Sequence, residues 1–132
     1  MTVDDPRMPT VLVVEDSDVI RRVISLILEG EGYHVVATAR GGDALELARH
    51  AQPAAVTLDL DLPDSDGRDV LRQLKGDAST TQIPVIVVSA VAEGLSVDDR
   101  RRADDVIAKP FDLDDFLGRV GRAVADRCAN AS

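Results

Sequence analysis

Five short apolar runs recur along the chain, and each is followed by a stretch in which apolar residues have helical spacing. The runs lie at Thr10–Val14, His34–Ala37, Ala55–Leu58, Ile83–Ser89 and Val106–Ala108. The first is a continuous β-branched run, which is typical of a fully buried strand. Strands that alternate with helices indicate a parallel sheet with right-handed crossovers. The sequence therefore predicts one α/β domain built from five strand–helix units, (βα)5.

Local signals mark where the predicted helices begin and end. Apolar residues follow helical spacing from Ile20 to Leu28; Ser17 can cap the start of this helix, and Gly30 or Gly32 can end it. Further helical patterns, the third of which is polar and weak, follow at 44–48, 67–75, 93–104 and 113–124. Asp112 is the expected cap of the last helix.

The composition limits the classes of protein that the chain can form. Its 132 residues suffice for one domain and leave no room for a second. A net charge of −9 disfavours direct binding to nucleic acid or to anionic lipid. Cys128, the single cysteine, cannot form an internal disulfide, and no apolar run approaches the roughly 20 residues that cross a bilayer. Together with the lack of an apolar N-terminal signal, these features predict a cytoplasmic protein in which Cys128 is a plain thiol.

Acidic side chains stand directly after two of the predicted strands. The first strand ends in Glu15 and Asp16, and the third ends in Asp59. In open parallel sheets, ligands bind beyond the carboxyl ends of the strands, where the strand order reverses. Three carboxylates gathered there repel one another, and a hard cation relieves the repulsion. The cluster predicts Mg²⁺, with Mn²⁺ as an alternative, rather than Zn²⁺, because no histidine lies near it and no cysteine spacing suits zinc.

Two more polar residues are expected at the same edge of the sheet. The fourth strand ends in Ser89, and the fifth runs into Lys109. A phosphoryl group on Asp59 would carry negative oxygens, which Mg²⁺, an ammonium and a hydroxyl donor would each compensate in part. Phosphoryl transfer asks the protein mainly for positioning and charge compensation. The pattern therefore predicts Asp59 as a nucleophile and an aspartyl phosphate as its covalent product.

Four short segments, each at a predicted strand end, carry a resemblance to a known family. They are Val13–Asp16, Leu58–Gly67, Val88–Ala90 and Lys109–Phe111. In this order and spacing they make the chain resemble the receiver domains of bacterial two-component response regulators, the CheY-like group. The resemblance extends from Val11 to about Val124. It implies a doubly wound, flavodoxin-like sheet of five parallel strands in the order 2-1-3-4-5.

The resemblance also implies a role for each site residue. Asp59 is expected to accept the phosphoryl group, Lys109 to contact it, and Ser89 to move toward it on activation. A cis peptide is expected before Pro110. The metal is expected to bind four residues: Glu15, Asp16, Asp59 and, through its backbone carbonyl, Asp61.

Partners and domain bounds follow from the same resemblance. The expected phosphoryl donor is a histidine kinase or a histidine phosphotransfer protein, whereas the downstream protein or fused output domain is left open. We expect a signalling switch that assists its own phosphorylation and dephosphorylation rather than an enzyme. Residues 1–9 are expected to be a flexible N-terminal segment and residues 10–128 the receiver domain, as a monomer or weak dimer.

Three positions depart from the family pattern. Val106 stands where an aromatic residue is usual, and its stiff side chain cannot make the usual coupled swing of hydroxyl and ring. We hypothesise that partner binding uses a different surface or a shifted fourth helix, which amide NMR shifts with and without a phosphoryl analogue would test. Ser89 and Lys109 are 20 residues apart, slightly fewer than expected, and Arg102 replaces a usual glycine, so we predict a short or irregular fourth helix. Asp61 is an acid two residues after Asp59, where it can affect attack by water on the phosphoryl group.

Two alternative functions are weighed against this one. The segment Asp59–Asp61 imitates the Asp-x-Asp motif of haloacid-dehalogenase-type phosphatases, but that family has the motif after its first strand and two strands precede it here. A pseudo-receiver would keep the fold, lose phosphorylation and act as a phosphorylation-independent protein-binding module. The absence of an aromatic residue at Val106 is the feature that favours this second alternative.

Overall fold

All five predicted strands are present and run parallel in one sheet. The computed structural model describes residues 8–90 and 95–130, with the side chains of 128–130 excepted. The strands are β1 Thr10–Val14, β2 His34–Thr38, β3 Ala55–Leu58, β4 Val85–Ser89 and β5 Asp105–Ala108. They are hydrogen-bonded in the order β2-β1-β3-β4-β5. The predicted fold class and strand order are therefore confirmed, and the order reverses between β1 and β3.

Within the described residues, five helices cover the two faces of the sheet. They are α1 Asp18–Gly30, α2 Ala44–Ala51, α3 Gly67–Gly76, α4 Val97–Arg102 and α5 Leu113–Asn130, and a 3₁₀ turn at Gly41–Asp43 precedes α2. One buried cluster joins the sheet to α1 and α5, and a second joins it to α2, α3 and the end of α4. Since both faces are covered, the strands are apolar without alternation, as the sequence indicated.

The caps predicted for the helices are in place. The Ser17 hydroxyl accepts a hydrogen bond from the Ile20 N–H at 3.2 Å. The Asp112 carboxylate accepts one from the Asp115 N–H at 3.0 Å. Each cap satisfies a backbone N–H that has no partner within its own helix. The fourth helix has six residues, in agreement with the prediction of a short one.

Strand β4 begins two residues later than its apolar run predicts. The Ile83 N–H closes a turn by donating to the Thr80 carbonyl at 3.0 Å. Pro84 has no N–H to give to a neighbouring strand, although its carbonyl accepts from the Val56 N–H at 2.9 Å. The strand begins at Val85, whose N–H donates to the Asp104 carboxylate at 2.7 Å and whose carbonyl accepts from the Asp104 N–H at 2.9 Å.

An aromatic contact fixes the chain where β5 leads into α5. The rings of Phe111 and Phe116 stack with centroids 5.0 Å apart, and Phe116 is fully buried. The peptide between Lys109 and Pro110 is cis, as the resemblance implied. Lys109 is therefore attached directly to a segment that is anchored in the core.

Some predictions fall on residues outside the described part of the chain. Residues 1–7 of the expected flexible segment are not described, whereas the Pro9 carbonyl accepts a hydrogen bond from the His34 N–H at 3.0 Å. The Cys128 side chain also lies outside the described residues, so its predicted character as a plain thiol stays a prediction, as do the domain bounds. Among the helices in residues 8–90 and 95–130, none has the length and apolar character needed to cross a bilayer.

Candidate functional site

Three carboxylates meet where β1 and β3 end. One oxygen from each of Glu15, Asp16 and Asp59 lies within 4.8 Å of the others. Asp59 is held level with the end of β1 because its N–H donates to the Val14 carbonyl at 3.0 Å. Glu15 and Asp59 are buried, whereas Asp16 is exposed. The cluster therefore lies at the carboxyl edge of the sheet and opens to solvent on the side of Asp16.

Lys109 is the positive charge of this cluster. Its Nζ atom donates to Glu15 Oε1 at 2.7 Å and to Asp59 Oδ2 at 3.3 Å. Burial lowers the pKa of Lys109, but the hydrogen bonds and charges of these two carboxylates raise it by more than burial lowers it. The pKa of Lys109 therefore lies above its usual range. The side chain is therefore an ammonium that bridges the ends of β1 and β3.

One ammonium does not compensate the whole cluster. Burial raises the pKa of Glu15 to about 7, helped by the hydrogen bond and charge of Asp59 and opposed by Lys109. Three acids with one base leave an excess of negative charge around partly buried oxygens. Carboxylate oxygens at this spacing are the donor set that Mg²⁺ takes in proteins, with water completing its coordination. The residues present therefore fit a magnesium ion, as the sequence predicted.

The loop between β3 and α3 is folded tightly back on Asp59. The Asp61 N–H donates to Asp59 Oδ1 at 3.1 Å, and the Gly67 N–H donates to the Leu60 carbonyl at 3.0 Å. A Cβ on Gly67 would lie 2.4 Å from the Leu60 Cα, so only glycine allows α3 to begin this close to the site. Asp61 therefore has its backbone next to the phosphoacceptor candidate, and its side chain is exposed.

Ser89 and Val106 lie on the two strands beyond β3. Ser89 is buried at the end of β4, and its carbonyl accepts a hydrogen bond from the Lys109 N–H at 3.0 Å. In the sheet register Leu58 is level with Val87, which brings the end of β4 alongside Asp59. Val106 packs against the core cluster on the side of α3 and α4. The structure thus brings Ser89 to the predicted edge of the sheet, whereas Val106 is a partly buried residue of β5.

Arg21 is a neighbour of the site that the sequence did not single out. Its guanidinium donates to the Glu15 carbonyl at 3.0 Å and forms an ion pair with Asp18 at 2.6 Å. The contact ties the first turn of α1 to the backbone at the end of β1. A basic residue one turn into the helix after an acidic strand end is the signal that could have indicated it.

Comparison with known proteins assigns the family. A model of the response regulator receiver domain matches residues 11–121. Because this match covers most of the chain, the chain belongs to the response regulator receiver domain family. Its fold is CheY-like, and its role lies in two-component signal transduction.

Individual relatives support the same assignment. The transcriptional regulatory protein KdpE of Mycobacterium tuberculosis is 39% identical over 129 residues, covering 94% of this chain and 54% of KdpE. Protein PilH of Pseudomonas aeruginosa is 32% identical over 120 residues, covering 89% of this chain and 99% of PilH. The chain thus spans about half the length of KdpE and nearly all of PilH.

A solved structure is similar in both sequence and fold. It is the receiver domain of the sensor histidine kinase PA1611 from Pseudomonas aeruginosa, with a TM-score of 0.76 and 27% identity. The match covers 89% of this chain and 98% of that domain. In that protein a magnesium ion is coordinated in the active-site cleft.

Proposed function

We propose that this domain accepts a phosphoryl group on Asp59 from a histidine kinase or a histidine phosphotransfer protein, with Mg²⁺ as cofactor. The cluster of Glu15, Asp16 and Asp59 with Lys109 is the observation that carries the proposal. It lies at the point where strand order reverses, which is where open α/β sheets bind ligands. The excess negative charge of the cluster would repel a phosphoryl group, which is itself an anion, so a cation must bind first.

Each residue has a separate task in this proposal. An Asp59 carboxylate oxygen attacks phosphorus, while the bond from phosphorus to the donor imidazole breaks and the donor nitrogen keeps the electron pair. Bound Mg²⁺ supplies positive charge that compensates the carboxylates and the phosphoryl oxygens. Lys109 exchanges part of its contact with Asp59 for a phosphoryl oxygen, and the Ser89 hydroxyl donates to another. Glu15, Asp16 and the Asp61 carbonyl are assigned to the metal.

Mn²⁺ is proposed as a substitute for Mg²⁺, because it also prefers oxygen ligands. The proposed setting is cytoplasmic, with the domain a monomer or weak dimer that does not bind nucleic acid directly. Output passes to a downstream protein or a fused output domain. KdpE, a transcriptional regulatory protein about twice as long as the matched region, is the relative that supports a fused output domain.

Intact mass measurement tests the proposal directly. The chain is incubated with acetyl phosphate and Mg²⁺ beside Asp59→Asn and a control, Asp43→Asn, which changes an exposed acid in the turn before α2. We expect one added phosphoryl group in the wild type and in Asp43→Asn. We expect none in Asp59→Asn and none when Mg²⁺ is removed with EDTA.

The alternatives predict different outcomes in the same experiment. A pseudo-receiver gains no mass and shows no Mg²⁺ binding. A phosphatase of the haloacid-dehalogenase type turns over phosphate esters rapidly, but the Asp59–Asp61 segment follows β3 rather than the first strand. The family match and the full set of site residues favour the phosphoacceptor over both. Mass addition that persists in Asp59→Asn would overturn the assignment of the acceptor.

A further inference from the structure

The tip of the loop after β3 is clamped to another loop by a carboxylate that the phosphoryl chemistry does not use. Asp64 accepts a hydrogen bond from the Gly41 N–H through Oδ1 and one from the Gly42 N–H through Oδ2, both at 2.9 Å. These two donors belong to the 3₁₀ turn before α2, more than 20 residues away in sequence. Hydrogen bonds to an ionised acceptor are the stronger kind, so this is a charge-assisted clamp between two loops.

The clamp also depends on close packing against glycine. A Cβ on Gly41 would lie 2.2 Å from the Ser65 hydroxyl oxygen and 2.9 Å from side-chain atoms of Leu62 and Val70. Within the described residues, the Ser65 hydroxyl is buried there with no hydrogen-bond partner. Ser65 therefore contributes shape to this contact, and the carboxylate of Asp64 supplies its polar bonds.

Both ends of the loop are thus anchored, with the expected metal ligand between them. The base is fixed by the hydrogen bond from Gly67 to Leu60 and by the one from Asp61 to Asp59. The tip is fixed three residues beyond Asp61, at the clamp. An exposed loop held at one end would sample several backbone positions, whereas one held at both ends keeps its carbonyls in fewer.

We infer that Asp64 is a positioning residue for the proposed metal site, because its clamp to Gly41 and Gly42 holds the backbone segment that carries the Asp61 carbonyl. The inference rests on the proposed function and assigns a residue that acts through the loop rather than by contact with the metal. When a residue that orients a metal ligand without touching the metal is removed, metal affinity typically falls by about tenfold or more.

Three variants separate the clamp from simple charge. Asp64→Ala removes both the clamp and one negative charge. Asp43→Ala removes an exposed carboxylate from the 3₁₀ turn that Asp64 binds, and this side chain makes no capping hydrogen bond within the described residues. Gly41→Ala leaves every charge in place and adds a Cβ that the side chains of Ser65, Leu62 and Val70 must move to accommodate.

The full chain is titrated with Mg²⁺ by calorimetry without phosphodonor, and amide hydrogen exchange of residues 60–66 is measured in the metal-free protein. Asp64→Ala is expected to raise the Mg²⁺ dissociation constant about tenfold and to speed exchange of the Asp61 amide. Gly41→Ala is expected to change both quantities in the same direction. Asp43→Ala is expected to stay within about twofold of the wild type, as a remote exposed charge screened by salt should.

The outcomes distinguish this inference from the proposed function. Wild-type binding of Mg²⁺ with equal affinities in Asp64→Ala and Asp43→Ala overturns the inference alone. The inference is also overturned if Asp64→Ala and Asp43→Ala both bind Mg²⁺ more weakly while Gly41→Ala keeps the wild-type affinity, since the lost charge would then explain the effect. A wild type that binds no Mg²⁺ overturns the proposed function, and the inference with it. Unfolding in urea shows whether Gly41→Ala is folded. If Gly41→Ala is not folded, the comparison of Asp64→Ala, which is changed at an exposed position, with Asp43→Ala tests the inference.

Discussion

Two regions of the molecule bury carboxylates, and they differ in how completely neighbouring cations compensate the negative charge. Between α3 and α4, the fully buried side chain of Asp99 meets two guanidinium groups, from Arg72 and Arg102. At the ends of β1 and β3, three carboxylates lie together and the Lys109 ammonium contacts two of them, Glu15 and Asp59. In the first region Arg72 also pairs with Asp69, so two arginines face two carboxylates and the charges balance. In the second region the negative charge is in excess. The difference separates a structural ion pair from a site that requires a cation.

The pKa directions express the same contrast. Arg72 donates to both oxygens of Asp99, from Nε at 3.1 Å and from Nη2 at 2.8 Å, and these hydrogen bonds lower the pKa of Asp99 despite its burial. At the strand ends burial is the larger effect, and the pKa of Glu15 is raised to about 7. The arginines therefore keep Asp99 ionised, whereas Glu15 needs a proton or a further cation.

The largest expected effect is the loss of stability in Asp99→Ala. Removing one partner of a buried ion pair costs about 3–5 kcal/mol, and we expect about 2–3 kcal/mol because both arginines reach solvent and can be rehydrated. The free energy of unfolding is measured in urea, with Asp98→Ala, the exposed neighbour on α4, as control. The Mg²⁺ affinity should stay unchanged. A loss below about 1 kcal/mol, similar to that of Asp98→Ala, would contradict a structural role for the ion pair.

The second prediction concerns the pH dependence of the metal-free protein. Glu15 has a folded-state pKa of about 7 against an ordinary value of 4.5, so the folded state holds the proton more tightly. Stability from this group is complete below pH 4.5 and is lost as pH rises to about 7. Asp99 has a lowered pKa, so its contribution is present above its ordinary value of 3.8 and is lost as pH falls through the folded pKa. The two regions thus give slopes of opposite sign in separate pH windows.

Urea unfolding in EDTA between pH 4.5 and 8 measures the first of these slopes. The shift of Glu15 sets an upper limit of about 3 kcal/mol, and interaction with Asp59 lowers the expected value to about 2 kcal/mol. Glu15→Gln, which resembles the protonated acid, should remove the slope. Stability that is level or rises from pH 4.5 to 7 in the wild type would show that Glu15 is already compensated without metal.

The strand-end region could be predicted from the sequence, because each of its polar residues directly follows an apolar run. Glu15 and Asp59 directly follow β1 and β3, Ser89 is the last residue of β4, and the parallel order brings all three to one edge. Lys109 was predicted as a contact of the phosphoryl group, whereas its hydrogen bond to Glu15, 94 residues away, depends on the packing of β5 and the following turn.

The contacts of Asp99 and Asp64 have no such signal in the sequence. Arg72 and Asp99 lie 27 residues apart on different helices, and nothing in their local spacing indicates that they meet. The partners of Asp64 are backbone N–H groups of Gly41 and Gly42, which every residue except proline offers, so no residue type indicates the contact. Sequence patterns predict which residues the strand order brings to one edge of the sheet. Contacts between side chains of separate helices or loops can be identified only from the structure.

The third prediction tests whether Lys109 competes with the cation. Lys109→Met removes the ammonium from Glu15 and Asp59 and keeps much of the apolar stem, so Mg²⁺ should bind about tenfold more tightly. Tenfold corresponds to about 1.4 kcal/mol, which is a fraction of the roughly 4 kcal/mol between two unit charges about 4 Å apart near a protein surface. Phosphoryl uptake from acetyl phosphate should become slower. Calorimetry measures the affinity, with Lys75→Met as control, because Lys75 pairs with Asp104 away from the site. Weaker Mg²⁺ binding in Lys109→Met would mean that Lys109 organises the carboxylates rather than competing for them.

The smallest expected effect comes from an acid at the exposed rim of the same region. Asp61→Asn keeps the backbone N–H that donates to Asp59 and removes the charge of an exposed carboxylate. We expect the lifetime of the aspartyl phosphate to change by about twofold or more, equivalent to about 0.4 kcal/mol in the barrier. The lifetime is followed by intact mass after acetyl phosphate is removed, with Asp98→Asn as control.

The sign of that change decides what the Asp61 carboxylate does. A carboxylate near the phosphoryl group can orient an attacking water, in which case Asp61→Asn lengthens the lifetime. It can also repel the phosphoryl oxygens and the incoming water, in which case the variant shortens it. An unchanged lifetime would place Asp61 with Asp98, as a solvated acid, and would confine the excess charge of the site to Glu15, Asp16 and Asp59. The boundary of the undercompensated region would then coincide with the three carboxylates that the metal is proposed to bind.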